Sequence, residues 1–217
     1  MNSEAASVML IDDHPLLRKG LKQLLALEDD LEVVAEASNG KDAIPIAVEL
    51  DPDLIILDLN MQGMDGLATL QALRKEGVTS RIVMLTVSDA DEDEVQAITL
   101  GADGYLLKDM EPEQLLEQIR RAVSGKMVLS ETVAAVLATA IRKPGPKPNA
   151  ELNSLTNREY EILTLIAKGM SNKVIARELD ISDGTVKVHV KHLLKKLGLR
   201  SRVEAAVWMV NQQGAKT

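Results

Sequence analysis

The sequence predicts two bodies, a five-unit α/β fold with a doubly wound parallel sheet followed by a small all-α domain of four helices. Three observations carry that reading. Short continuous apolar runs alternate with helix-length amphipathic segments over roughly the first 125 residues, a prolyl stretch follows, and the remainder shows only helical periodicity. A strand buried on both faces reads as an unbroken apolar run, and right-handed crossovers then put helices on both faces of the sheet.

Strands are expected near residues 7–11, 32–37, 54–57, 81–86 and 103–106, and helices near 15–27, 40–49, 66–76, 91–100 and 112–124. Leu54-Ile55-Ile56-Leu57 runs straight into Asp58, and Val8-Met9-Leu10-Ile11 runs into Asp12-Asp13. Ligands bind at the carboxyl edge of such sheets, so these three acids meet there. Converging carboxylates repel unless a hard cation neutralises them, and a site of few oxygen ligands suits Mg²⁺. Thr86 and Lys108 also end strand-like runs; a hydroxyl and a lysine there can serve a phosphoryl group on Asp58, which reads as the nucleophile. Gly63 and Gly66 let the chain turn tightly beside that acid, whereas Pro45 is expected to kink or shorten the second helix.

Residues 1–141 hold 11 Lys+Arg against 26 Asp+Glu, a balance of -15, and residues 142–217 hold 14 against 7, a balance of +7. An acidic body is thus joined to a basic one, the footprint of nucleic-acid binding held in check within one molecule. The absence of cysteine excludes disulfides and thiolate metal sites, and no apolar run is long enough to span a membrane, so a soluble cytoplasmic protein is expected. Beyond the strand-end acids there is no second constellation with a general base, which argues against a turnover enzyme.

Domains are expected at 1–128 and 154–217, with 129–153 as a linker. Glu131 to Ile141 reads as a short helix, docked or free, and Lys143-Pro144-Gly145-Pro146-Lys147-Pro148 then breaks regular structure. In the second body Thr156 and Glu159 form a capping box, Ser182 caps a later helix, and Val186, Val190, Leu193, Leu194 and Leu197 point to a core. Lys187, Lys191 and Lys195 fall on another face of that helix, the layout of a helix-turn-helix entering a major groove. Arg158, Lys173, Arg200 and Arg202 are candidate phosphate contacts. His189 and His192 lack a third ligand and read as surface or DNA-near residues. On the last helix Val203, Ala206, Val207, Trp208 and Val210 form an apolar stripe that is either core or a two-fold contact; Val203 and Val207 favour core, Ala206 and Val210 the interface.

Asp12-Asp13, Asp58, Thr86, Gly101-Ala102-Asp103-Gly104-Tyr105 and Lys108 resemble the receiver domain of bacterial two-component response regulators, a flavodoxin-like fold. The resemblance implies phosphoryl transfer from a sensor histidine kinase to Asp58, with Mg²⁺ held by Asp13, Asp58, the Asn60 carbonyl and, through water, Asp12. It also implies that Thr86 and Tyr105 switch on phosphorylation. Gln62 stands where many receivers have proline, and Asp109 follows Lys108 in place of another frequent proline. The second body, from Leu155-Thr156 through Ser171-Asn172-Lys173-Val174-Ile175-Ala176 and Thr185-Val186-Lys187-Val188-His189-Val190 to Ser201-Arg202, resembles the output domain of the NarL/FixJ (LuxR-type) group. That implies major-groove contacts from Lys187, Val188 and Lys191 to promoter DNA and a homodimer through the last helix, with RNA polymerase as a further partner. Within the group the likeness extends to nitrate/nitrite response regulators. The rival reading is a receiver-containing interaction module whose basic tail binds protein or RNA.

Overall fold

The computed structural model describes residues 5–87, 90–126, 128 and 152–214. The expected connector helix over 131–141 and the prolyl stretch after it lie outside the described residues, as do Ser88 and Asp89. The first body is β1 (Ala6–Ile11), α1 (Pro15–Leu25), β2 (Leu31–Ala37), α2 (Gly40–Leu50), β3 (Leu54–Asp58), α3 (Gly66–Lys75), β4 (Arg81–Thr86), α4 (Asp91–Thr99), β5 (Gly104–Leu107) and α5 (Pro112–Val123). Its strands form one parallel sheet in the order β2-β1-β3-β4-β5.

Alternation along each strand fills both faces. Met9, Ile11, Ile55, Leu57, Ile82 and Met84 pack toward α2, α3 and α4, and Val8, Leu10, Leu54, Ile56, Val83 and Leu85 toward α1 and α5. Because β1 pairs with both β2 and β3, strand order reverses between β1 and β3, and the crevice opens above their carboxyl ends. Asp12, Asp58, Thr86 and Lys108 end or follow the strands on that edge, as the apolar runs predicted.

Pro45 does not shorten α2, which runs through it to Leu50. Proline removes the amide that would bond the Lys41 carbonyl, and Lys41 and Pro45 both lie on the exposed side of the helix. At the opposite edge of the sheet Arg74 pairs with Asp103 at 2.7 Å and donates to the carbonyls of Val78, Ser80 and Gly101, clasping the turns before β4 and β5.

The second body is a short 3-10 turn at 152–154, then α6 (Asn157–Ala167), α7 (Asn172–Glu178), α8 (Asp183–Leu197) and α9 (Arg202–Gly214). The Thr156–Glu159 capping box forms, Ser171 caps α7, Ser182 caps α8, and Gly198 in the left-handed region closes α8. On α9 the buried side is Ala205, Trp208 and Met209; Val203 and Val207, expected inward, are only half-buried. A three-and-four spacing fits either set, and the packing against α6 selects the one carrying the large indole. Among the described residues no helix is long and apolar enough to cross a membrane.

Candidate functional site: an acidic crevice and a basic helix at opposite ends of the sheet

Burial explains why the crevice is chemically unusual. Asp58 is 1% and Asp12 3% exposed, and Lys108 reaches between them, its Nζ 2.8 Å from Asp58 Oδ2 and 2.9 Å from Asp12 Oδ2. The Asn60 amide donates to Asp58 Oδ1 at 3.1 Å. Burial raises the Asp58 pKa above the ordinary carboxylate value; Lys108 and the Asn60 amide oppose the rise, and Asp12 adds to it. Gly66 makes the tight turn possible, since a Cβ there would stand 2.2 Å from the Asp58 carbonyl oxygen.

His14 completes the cluster. Its Nδ1 lies 2.9 Å from Asp13 Oδ1, 3.2 Å from Asp12 Oδ1 and 3.6 Å from Asp58 Oδ2. Asp12, Asp13, His14 and Asp58 each offer an atom, all within 4.8 Å of one another, a set able to hold a metal ion. Asp12 Oδ2, Asp13 Oδ1 and Asp58 Oδ2 are buried yet receive no directed hydrogen bond, their neighbours being the Lys108 ammonium and the His14 ring. Oxygen-rich, under-satisfied and anionic, the set fits a hard divalent cation.

Sequence reasoning brought Asp12, Asp13, Asp58 and Lys108 together but passed over His14, whose only signal was its place after the acid pair. It also passed over the backbone amide of Gln62, which donates to Asp13 Oδ2 at 2.9 Å. Thr86 is fully buried at the end of β4 and Tyr105 is 7% exposed in β5.

The basic helix lies at the other end of the sheet. Lys191 Nζ donates to the Glu76 carbonyl at 3.2 Å, and Lys187, Val188 and Lys191 line a groove of about 110 Å³ with Val48, Asp51 and the Glu76–Thr79 turn. Lys187 also pairs with Asp183 one turn earlier at 3.1 Å, while Lys195 is exposed. Lys173 pairs with Asp53 at 3.2 Å and donates to the Ala5 carbonyl at 2.5 Å, and Arg200 donates to the Thr99 carbonyl at 3.1 Å. At Gly125 an added Cβ would stand 1.6 Å from the Gly169 carbonyl oxygen, so two backbones meet there without side chains between them.

Not every expected phosphate contact is presented outward. Arg202 is buried, donating to Asn172 Oδ1 at 2.9 Å and to the Met170 carbonyl at 2.6 Å. Burial, and then the neighbouring Arg81, lower its pKa to about 9. Arg158 binds the Leu179 carbonyl and Glu161. Of the residues considered for a two-fold contact, Trp208 is packed in the core, Val203 and Ala206 are half-buried, and Val210 is 57% exposed.

Comparison with known proteins agrees with this geometry. Residues 8–120 match the response regulator receiver domain, and residues 153–209 match the luxR family of bacterial regulatory proteins. The chain is 57% identical over 208 residues to the nitrate/nitrite response regulator protein NarL of Escherichia coli K12, covering 96% of each. It is 52% identical over 209 residues to NarP of the same organism, again covering 96% of each. Among solved structures, the response regulator ChrA of a heme-sensing two-component system aligns over 97% of this chain and 98% of its own, with 36% identity and a TM-score of 0.50. The receiver domain of a putative response regulator NarL from Mycobacterium tuberculosis aligns over 57% of this chain and all of its own, with 32% identity and a TM-score of 0.55. An acid-lined crevice on a parallel sheet, a capped helix-turn-helix beyond it, and likeness over nearly the whole chain place this protein in the two-component response regulators with a LuxR-type DNA-binding domain, in the NarL/NarP family.

Proposed function

We propose that this chain is a phosphorylation-gated transcription factor of the cytoplasm, with a receiver at 1–128, a linker at 129–153 and an output domain at 154–217, and that it controls genes of nitrate or nitrite respiration. The observation that carries the reading is the opposition of the two sites: Asp58 stands at one end of the sheet, while the Lys187–Lys191 face of α8 is turned toward turns at the other end.

In this reading Asp58 attacks the phosphorus of a kinase phosphohistidine, an O–P bond forming as the N–P bond breaks and the imidazole leaves. Asp13, Asp58 and the Asn60 carbonyl would hold Mg²⁺, with Asp12 acting through water, and the cation when bound neutralises charge that gathers on the phosphoryl oxygens. Lys108, which lies between Asp12 and Asp58, would turn to the phosphoryl group, and Thr86 would donate its hydroxyl to it. The new dianion biases the receiver toward a second packing in which Thr86 and Tyr105 shift. The contacts through Lys173, Lys191 and Arg200 then break, freeing α8 for the major groove of a promoter, where two copies bind through the last helix with Ala206 and Val210 between them.

The test measures full-length protein on duplexes selected from a random pool, with and without a small phosphodonor and Mg²⁺. Phosphorylation tightens binding, and Lys187→Ala or Lys191→Ala abolishes sequence preference in both states. Equal affinity in the two states refutes the gate. Binding to RNA or protein in place of duplex, indifferent to both lysines, refutes the transcription-factor reading.

A further inference from the structure

The amide of Gln62 stands out because it ties together the two loops that meet at the acidic cluster. Residue 62 lies in the loop after β3, Asp13 in the loop after β1, and the bond of 2.9 Å from Gln62 N–H to Asp13 Oδ2 spans 49 residues of sequence. It also divides the carboxylate. Oδ2 is taken by the amide, which leaves Oδ1, buried and without a directed hydrogen bond, facing the cluster beside His14 Nδ1 at 2.9 Å. Asp13 is the least enclosed of the three acids, its side chain 21% exposed against 4% for Asp12 and 1% for Asp58. Packing alone therefore holds its carboxylate least.

We propose that the main-chain amide of Gln62 is a positioning group for the cation site, fixing which oxygen of Asp13 faces the metal and so setting the affinity of the crevice for Mg²⁺. The inference rests on the reading that Asp13 and Asp58 hold the cation. A carboxylate with one oxygen pinned by an N–H loses less freedom on binding a cation than one free to rotate, and outer partners of this kind commonly govern metal affinity. The side chain of Gln62 is exposed and takes no part. Any residue but proline supplies the same donor, so having Gln62 where many receivers have proline is what provides the amide, while its target, Asp13, is visible only in the fold.

The experiment is titration of full-length, unphosphorylated protein with Mg²⁺ by calorimetry, comparing wild type, Gln62→Ala and Gln62→Pro, with thermal unfolding of each metal-free protein alongside. Gln62→Ala keeps the amide and binds as wild type does; Gln62→Pro binds about tenfold more weakly, the lower end of the loss seen when an outer partner of a metal ligand is removed, while its metal-free unfolding is little changed. Equal affinity of Gln62→Pro and wild type overturns the proposal and leaves the cation site standing. So does a loss in Gln62→Ala as large as that in Gln62→Pro. Wild type that takes up no Mg²⁺ sinks the cation reading itself. If Gln62→Pro does not fold, amide exchange decides: the Gln62 N–H exchanges faster in Asp13→Ala than in wild type, and an unchanged rate overturns the proposal.

Discussion

Replacing Asp53 by asparagine tests the gate from the side that does not touch DNA. Asp53 precedes β3, accepts from the Ser7 amide at 2.9 Å and hydroxyl at 3.0 Å, and faces Lys173 Nζ at 3.2 Å, with Lys173 and Asp53 side chains 20% and 10% exposed. A hydrogen bond to a charged group is worth about 1.5–3 kcal/mol, and asparagine keeps an acceptor while losing the charge, so the docked arrangement weakens by about 1–2 kcal/mol. At 1.4 kcal/mol per tenfold, the ratio of docked to released protein falls roughly 5- to 30-fold. Where the released form is a small fraction, apparent DNA affinity of the unphosphorylated protein rises by the same factor. Fluorescence anisotropy with a labelled promoter duplex reads this directly. After phosphorylation the lock is already open, so the variant and wild type then bind alike. An unphosphorylated affinity within twofold of wild type refutes the reasoning, as does an equal gain in both states, which would place the effect on DNA contact itself.

Two further outcomes follow from the buried acids. Because burial raises the pKa of Asp58, its ionised form opposes folding at neutral pH, and the cost vanishes once the group is protonated in both states, below the unfolded value of 3.8. Asp58→Asn therefore raises Tm at pH 7 without metal by roughly 3–6 °C, what about 1 kcal/mol is worth in a domain of this size, and the gain fades as pH falls through the raised native pKa toward 3.8; a gain that persists at pH 3 contradicts the assignment. Glu159 behaves in the opposite sense: burial pushes its pKa up, but the Lys196 ammonium at 2.7 Å and the Thr156 amide and hydroxyl outweigh burial and leave it below 4.5. Glu159→Ala costs about 1–2 kcal/mol in urea unfolding at pH 7, by loss of the capping box and the ion pair, and the difference from wild type shrinks as pH falls through the native pKa.

The residues that determined the architecture carry their meaning locally. An apolar run ending in an acid specifies both a buried strand and a carboxylate at its edge, so Asp12, Asp58, Thr86 and Lys108 were placed by neighbours within five positions. Thr156 with Glu159, and Ser182, marked helix starts through capping chemistry that spans at most one turn. Pro45 does not shorten its helix, because local preference says nothing about which side of a helix meets water.

What tertiary structure alone decided involves groups far apart in the chain or groups every residue has. That residue 62 has an amide at all is legible where many receivers have proline, but only the approach of two loops directs it at Asp13. Arg202 looked like a free phosphate contact until Asn172 and the Met170 carbonyl took up its guanidinium, and Lys173 acquired Asp53 as a partner 120 residues away. Trp208 faces the core and Val210 the solvent because a helix can present either of two overlapping stripes, and which one is buried is fixed by the helices it meets. Periodicity and end chemistry are short-range properties that a linear reading captures; the meeting of distant surfaces is a property of the packed molecule.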